Sequence, residues 1–109
     1  MSNATPKPFP KEMQRLRDML DDRGIEWHDA SDEPFDWWHL HEYGSAGYDR
    51  IWRTHFVTDR SEFSVICGYG SYGREFDLLE CMVNREEPHG YLSAENVMEM
   101  VDKEISNGN

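Results

Sequence analysis

Cysteine, positive charge and long apolar runs are all scarce in this chain. Two Cys stand among 109 residues, and 11 Lys and Arg face 22 Asp and Glu, for a net charge of −11. Too few thiols are present for a disulfide-stapled scaffold, and Cys67 and Cys81 lie too far apart for the short spacing of a cysteine zinc site. Each falls inside an apolar run, where a free thiol behaves as a small hydrophobe, so both are expected reduced and buried. The shortage of clustered Lys and Arg argues against direct binding to a phosphate backbone. No apolar run approaches the ~20 residues of a membrane-spanning helix. Residues 1–8 are polar and proline-bearing, without the hydrophobic segment of a secretory signal. They read as a flexible lead-in, and the protein as cytoplasmic.

What is abundant is aromatic and acidic. Four Trp, five Tyr and five Phe can anchor a core in one domain of this length. The acids concentrate in residues 25–50, where Asp32, Glu33, Asp36 and Glu42 are interleaved with Trp37, Trp38, Tyr43 and Tyr48, and Trp52 follows. So many large rings exceed what a small core can hold, and Trp and Tyr favour interfaces. The plainer account has them thickening the second face of a sheet. Such an acidic surface suits solubility or a basic protein partner.

Along the chain, residues 9–23 predict a helix. Pro10 suits a first turn, Phe9, Met13, Leu16 and Leu20 recur at helical spacing, and Gly24 closes the end. Residues 25–28 alternate as a short edge strand. Residues 35–43 fit either a short helix or one arm of a hairpin, with strand slightly favoured. Residues 51–58 and 63–68 form a hairpin across the polar turn 58–61. The apolar run 76–83 predicts a buried strand, and residues 84–91, with Pro88 and Gly90, a loop. Ser93 caps a final helix whose apolar face is Ala94, Val97, Met98, Val101 and Ile105. The order describes an α+β fold: an antiparallel sheet of about four to five strands with both helices on one face. The domain spans residues 9–106, with a tail over 107–109, and the other sheet face is left for solvent or a partner.

The chain is organised around residues 63–73, where an apolar strand runs into Gly68-Tyr69-Gly70-Ser71-Tyr72-Gly73. The three glycines match G-x-G-x-x-G literally. A dinucleotide site requires that motif to open a helix within βαβ units, and a kinase-type loop requires a lysine on the next strand. Neither context is present, so a turn needing positive φ accounts for the glycines better than a ligand cradle.

Other chemistry is thin. His39 and His41 share one face if their segment is a strand and could meet one ion, with His28, His55, His89 or nearby carboxylates to complete the set, but the short cysteine spacing of a closed zinc site is lacking. Ser71 misses the nucleophile-elbow spacing by one position, and burial should leave both thiols inert. No catalytic group and no cofactor is implied.

The runs at 63–73, Leu78-Leu79-Glu80 and Gly90-Tyr91-Leu92-Ser93-Ala94-Glu95-Asn96-Val97 resemble small uncharacterised bacteriophage and prophage proteins. Those share an apolar strand, a Gly-Ser-Tyr-Gly turn, a Leu-Leu-Glu run and a closing helix. The resemblance covers residues 50–105, with a weaker echo in Gly24-Ile25-Glu26-Trp27, and it implies a mobile-element origin but no activity. The residues around Trp37-Trp38-His39-Leu40-His41 depart from the pattern. The resulting expectation is a non-enzymatic acidic protein, phage-like, that binds another protein, with no membrane contact and its oligomeric state left open. Two alternatives stand beside it: an acidic mimic of nucleic acid that blocks a host factor, and small-ligand binding or catalysis at the glycine turn, residues 68–73.

Overall fold

The computed structural model describes residues 9–31, 51–68 and 71–107. Helix α1, Lys11–Asp22, leads into strand β1, Trp27–Asp29, followed by β2, Trp52–Val57, and β3, Glu62–Cys67. A three-residue 3-10 turn, Arg74–Phe76, precedes β4, Leu79–Val83, then β5, His89–Leu92, and helix α2, Ala94–Asn107. The five strands form one antiparallel meander in the order β1-β2-β3-β4-β5. This is the α+β architecture expected from the sequence, with one helix from each end of the chain.

Both helices lie on one face of the sheet because their apolar stripes share a single core. Met13, Leu16 and Leu20 of α1 and Ala94, Val97, Met98 and Val101 of α2 close over Phe56, Phe63, Val65, Cys67, Leu79 and Cys81. Phe56 and Phe63 stack as a cross-strand pair, 4.8 Å between centroids and 6° between planes. Fully burying each such ring contributes roughly 1.5–3 kcal/mol. Cys67 and Cys81 are free, buried thiols, and burial, with Glu80 beside it, pushes Cys81 up to about 12.

Both ends of α1 and the start of α2 are satisfied by defined groups. Gly24 at φ +69° closes α1, with Gly24 N–H donating to Asp21 O and Ile25 N–H to Leu20 O, the paired bonds of a Schellman turn. Ser93 and Asn96 exchange side-chain-to-backbone bonds of 3.0 and 3.1 Å, a capping box at the start of α2. The helices also cap across the fold. Asp77 Oδ2 accepts the Lys11 N–H at 3.0 Å, and Glu12 Oε1 accepts the Ala94 N–H at 2.8 Å. Arg15–Glu95 and Arg23–Asp102 ion pairs then align the two helices in parallel.

Three expectations need correction. Phe76 is not in a strand: left-handed backbone at Gly73 and Asp77 turns the chain, so β4 starts only at Leu79. Residues 84–91 are not all loop, because His89–Leu92 pairs with β4 across an irregular register, and that bulge is where Gly90 sits. Ile105 is 44% exposed rather than part of the core. In addition, the centre of the second sheet face is closed to solvent. Ile66 and Glu80 are fully buried there as a cross-strand pair, with Ile51 and Met82 packed on Ile66. Residues 35–43, whose state the pattern left divided, lie outside the described residues.

That second face carries a hydrogen-bonded triad of His55, Glu62 and Arg85. His55 Nε2 lies 3.0 Å from Glu62 Oε2, and Arg85 Nε donates to Glu62 Oε1 at 3.1 Å. The hydrogen bond with His55, opposed by partial burial and aided by Arg85, holds the Glu62 carboxyl below its ordinary range. A depressed folded-state pKa means the native state binds fewer protons than the unfolded chain. Its stabilising contribution is present above the ordinary glutamate value and is lost as pH falls through the folded one. Urea midpoints of the wild type and Glu62→Gln should therefore differ near neutrality and converge in acid. A constant gap across that window would remove Glu62 from the pH dependence.

Candidate functional site

The glycine turn is built as a scaffold. Ser71, buried, donates its hydroxyl to Gly68 O at 2.8 Å and accepts the Gly68 N–H at 2.9 Å, while Ser71 N–H also donates to Gly68 O. Gly73 adopts φ +104°, and a Cβ there would stand 3.0 Å from Leu78 Cβ and 3.1 Å from the Tyr91 backbone. Both its dihedral and its surroundings require glycine. The chain then makes the short 3-10 turn and enters β4, so the motif opens no α-helix.

What this scaffold presents is aromatic. Tyr72, Phe76 and Tyr91 are 49%, 66% and 53% exposed. Tyr72 and Phe76 lie four residues apart in the turn, Tyr91 comes from β5, and all three stand at one end of the sheet. Phe76 and Tyr91 rings lie 6.4 Å apart at a 47° tilt. Tyr91 N–H donates to Tyr72 O at 3.3 Å, and Tyr72 N–H donates to the buried Glu80 Oε1 at 2.7 Å. A Cβ on Gly90 would lie 2.4 Å from Tyr72 Cβ, so that glycine is what lets Tyr72 seat against β5. Asp77, whose Oδ2 holds the α1 N-terminus, ties the turn to the helix layer.

Left-handed backbone occurs here at Tyr91 and Asp77, both with φ near +58°, as it does at Asn84 and Arg85 of the β4–β5 turn. A left-handed tyrosine is rare, and such conformations persist where surrounding structure over-determines them, often at functional sites. The backbone that carries Tyr91 is therefore fixed by its surroundings, with Tyr91 N–H bonded to Tyr72 O and its ring against Phe76.

Of the residues singled out from the sequence, Gly68, Ser71, Tyr72 and Gly73 are part of this site. Tyr69 and Gly70 lie outside the described residues, as do Asp32, Glu33, Asp36, Trp37, Trp38, His39, His41, Glu42, Tyr43 and Tyr48. Trp52 is half-buried against the main core, edge-on to Phe9 with centroids 4.9 Å apart. Sequence reasoning missed Phe76 and Tyr91 as site residues. Phe76 had been absorbed into an apolar run, and Tyr91 sat in a stretch whose Pro88 and Gly90 read as loop. The available signal was Tyr91 itself, an aromatic next to a glycine and before an apolar residue in a chain already rich in rings.

The fold and the patch define an α+β protein with an exposed aromatic surface at one end of its sheet. Comparison of the chain with protein-family models, curated proteins and solved structures gave no match. No helix among the described residues is long and apolar enough to cross a membrane.

Proposed function

We propose that this is a non-enzymatic cytoplasmic protein of phage or prophage type that works by binding another protein, and that Tyr72, Phe76 and Tyr91 form its contact surface. The observation that carries the reading is the meeting of the exposed Phe76 and Tyr91 rings beside an exposed Tyr72 on a hydrogen-bonded turn. Exposed Tyr and Phe bring a large apolar area with few rotatable bonds, and aromatic residues are prominent among those that carry interface binding energy. The net charge of −11 adds a preference for a partner with basic residues around an apolar centre.

The test is capture from the native host with tagged wild-type protein, followed by affinity measurement on the recovered partner. Phe76→Ser should weaken that complex by roughly 2 kcal/mol, about thirtyfold, as loss of a central aromatic does. Its own stability should stay within about 0.5 kcal/mol of wild type, since the side chain is mostly in solvent. Tyr91→Gly should weaken binding too, without a loss of stability, because glycine accepts the left-handed backbone freely. Binding that survives both substitutions and collapses with modest salt would instead support an acidic nucleic-acid mimic.

A further inference from the structure

A second surface lies away from the aromatic patch. It is a cleft of about 460 Å³ lined by Gly24, Ile25, Glu26, by Val57, Thr58, Asp59 and Arg60 of the β2–β3 turn, and by Glu104 and Ile105 of α2. Val57 and Ile105 are 57% and 44% exposed, and both line it. Ile105 continues the apolar stripe of α2 past the point where the core ends, so its side chain faces the cleft in place of the sheet. The cleft is also held in shape. Ser61 Oγ donates to Glu104 Oε1 at 2.9 Å, fastening α2 to the hairpin, and the Thr58 N–H donates to Ser61 O. At Gly24 a Cβ would meet nothing within 4 Å, so that wall is bare backbone with space in front of it.

The charge on this rim is one-sided. Glu26, Asp59 and Glu104 stand against Arg60 alone, and Glu26 and Asp59 enter no ion pair among the described residues. Volume and apolar floor fall in the range of ordinary ligand clefts. Three carboxylates around aliphatic groups complement a cationic ligand that carries an apolar side chain.

We infer that this cleft binds a short basic peptide segment of a partner protein, with one aliphatic side chain seated between Val57 and Ile105 and flanking Lys or Arg against Glu26, Asp59 and Glu104. The site is separate from the aromatic patch and does not depend on it.

The experiment is a ¹⁵N chemical-shift titration of the full chain with the capped pentapeptide Arg-Arg-Leu-Arg-Lys. Saturable shifts are expected at the amides of Gly24, Ile25, Glu26, Val57, Thr58, Asp59, Arg60, Glu104 and Ile105. Replacing the peptide's Leu by Ser should weaken binding at least about tenfold, the value of one buried aliphatic side chain. Ile105→Asp should do the same. Val57→Ser provides a second, milder variant whose fold the same spectra check. A peptide with Glu at its charged positions should not bind. Phe76→Ser should leave the titration unchanged, which separates this site from the patch.

Four results would overturn the inference. These are shifts spread over the acidic surface, equal affinity for the Leu and Ser peptides, indifference to both cleft variants, or shifts of the same amides on concentrating the protein alone. The last would make the occupant a second copy of the chain.

Discussion

Gly73→Ala should lower the free energy of unfolding by roughly 2–4 kcal/mol, from a left-handed backbone no alanine favours plus crowding in a packed site. At φ +104° the residue lies beyond even the usual left-handed well, and an added methyl would press on Leu78 Cβ and on the backbone of Tyr91. A side-chain neighbour can give by a few tenths of an ångström, but the Tyr91 backbone is held by β5 pairing and by its bond to Tyr72 O. The measurement is the urea midpoint, with the slope of the transition unchanged. A shift equivalent to less than about 0.5 kcal/mol, the scatter of neutral surface substitutions, would show that the turn relaxes freely. The expected companion effect is displacement of Tyr91, so the aromatic surface should be perturbed even in the folded fraction.

A loss of similar size is expected at Arg17 of α1. Its side chain is nearly buried, with the guanidinium 4.5 Å from the centroid of Trp27 and 4.9 Å from that of Phe9. Arg17 Nε donates to Thr54 Oγ1 at 2.8 Å, and Nη2 reaches Arg53 O and Asp29 Oδ1, each at 3.3 Å. Burial lowers its pKa, with Asp29 acting in the opposite sense. One side chain thus pins α1 to β1 and β2. Arg17→Ala removes the packing between two rings and strands polar groups, at a cost of roughly 2–4 kcal/mol. Arg17→Met keeps much of the stem between the rings and should cost less. If alanine and methionine are equally harmful, the hydrogen bonds alone matter; if neither destabilises, the pin is not structural.

These two positions mark how far the residues alone carry the fold. The α1 stripe with its Gly24 stop, the β2–β3 hairpin and the α2 stripe from Ser93 were all legible, because each rests on a period or a cap that acts within a few residues. The placement of both helices on one sheet face followed from the need to bury two apolar stripes. Strand β5 was not legible: His89-Gly90-Tyr91-Leu92 pairs through a bulge, and neither alternation nor a run survives such a register shift. The burial of Arg17 was equally hidden, since it depends on Phe9, Trp27 and Thr54 arriving from three separate segments.

The glycine turn shows the same division. Local sequence pointed to positive φ in the glycine turn, which Gly73 shows, and to the lack of a following helix or lysine that a phosphate cradle needs. Only the tertiary structure decided what the turn is next to. Phe76 and Tyr91 are 15 positions apart in the sequence, yet a left-handed Asp77, the start of β4 and the bulge in β5 bring their rings together. Short-range propensities specify backbone conformation; the assembly of a surface from distant residues is set by strand register and by close packing.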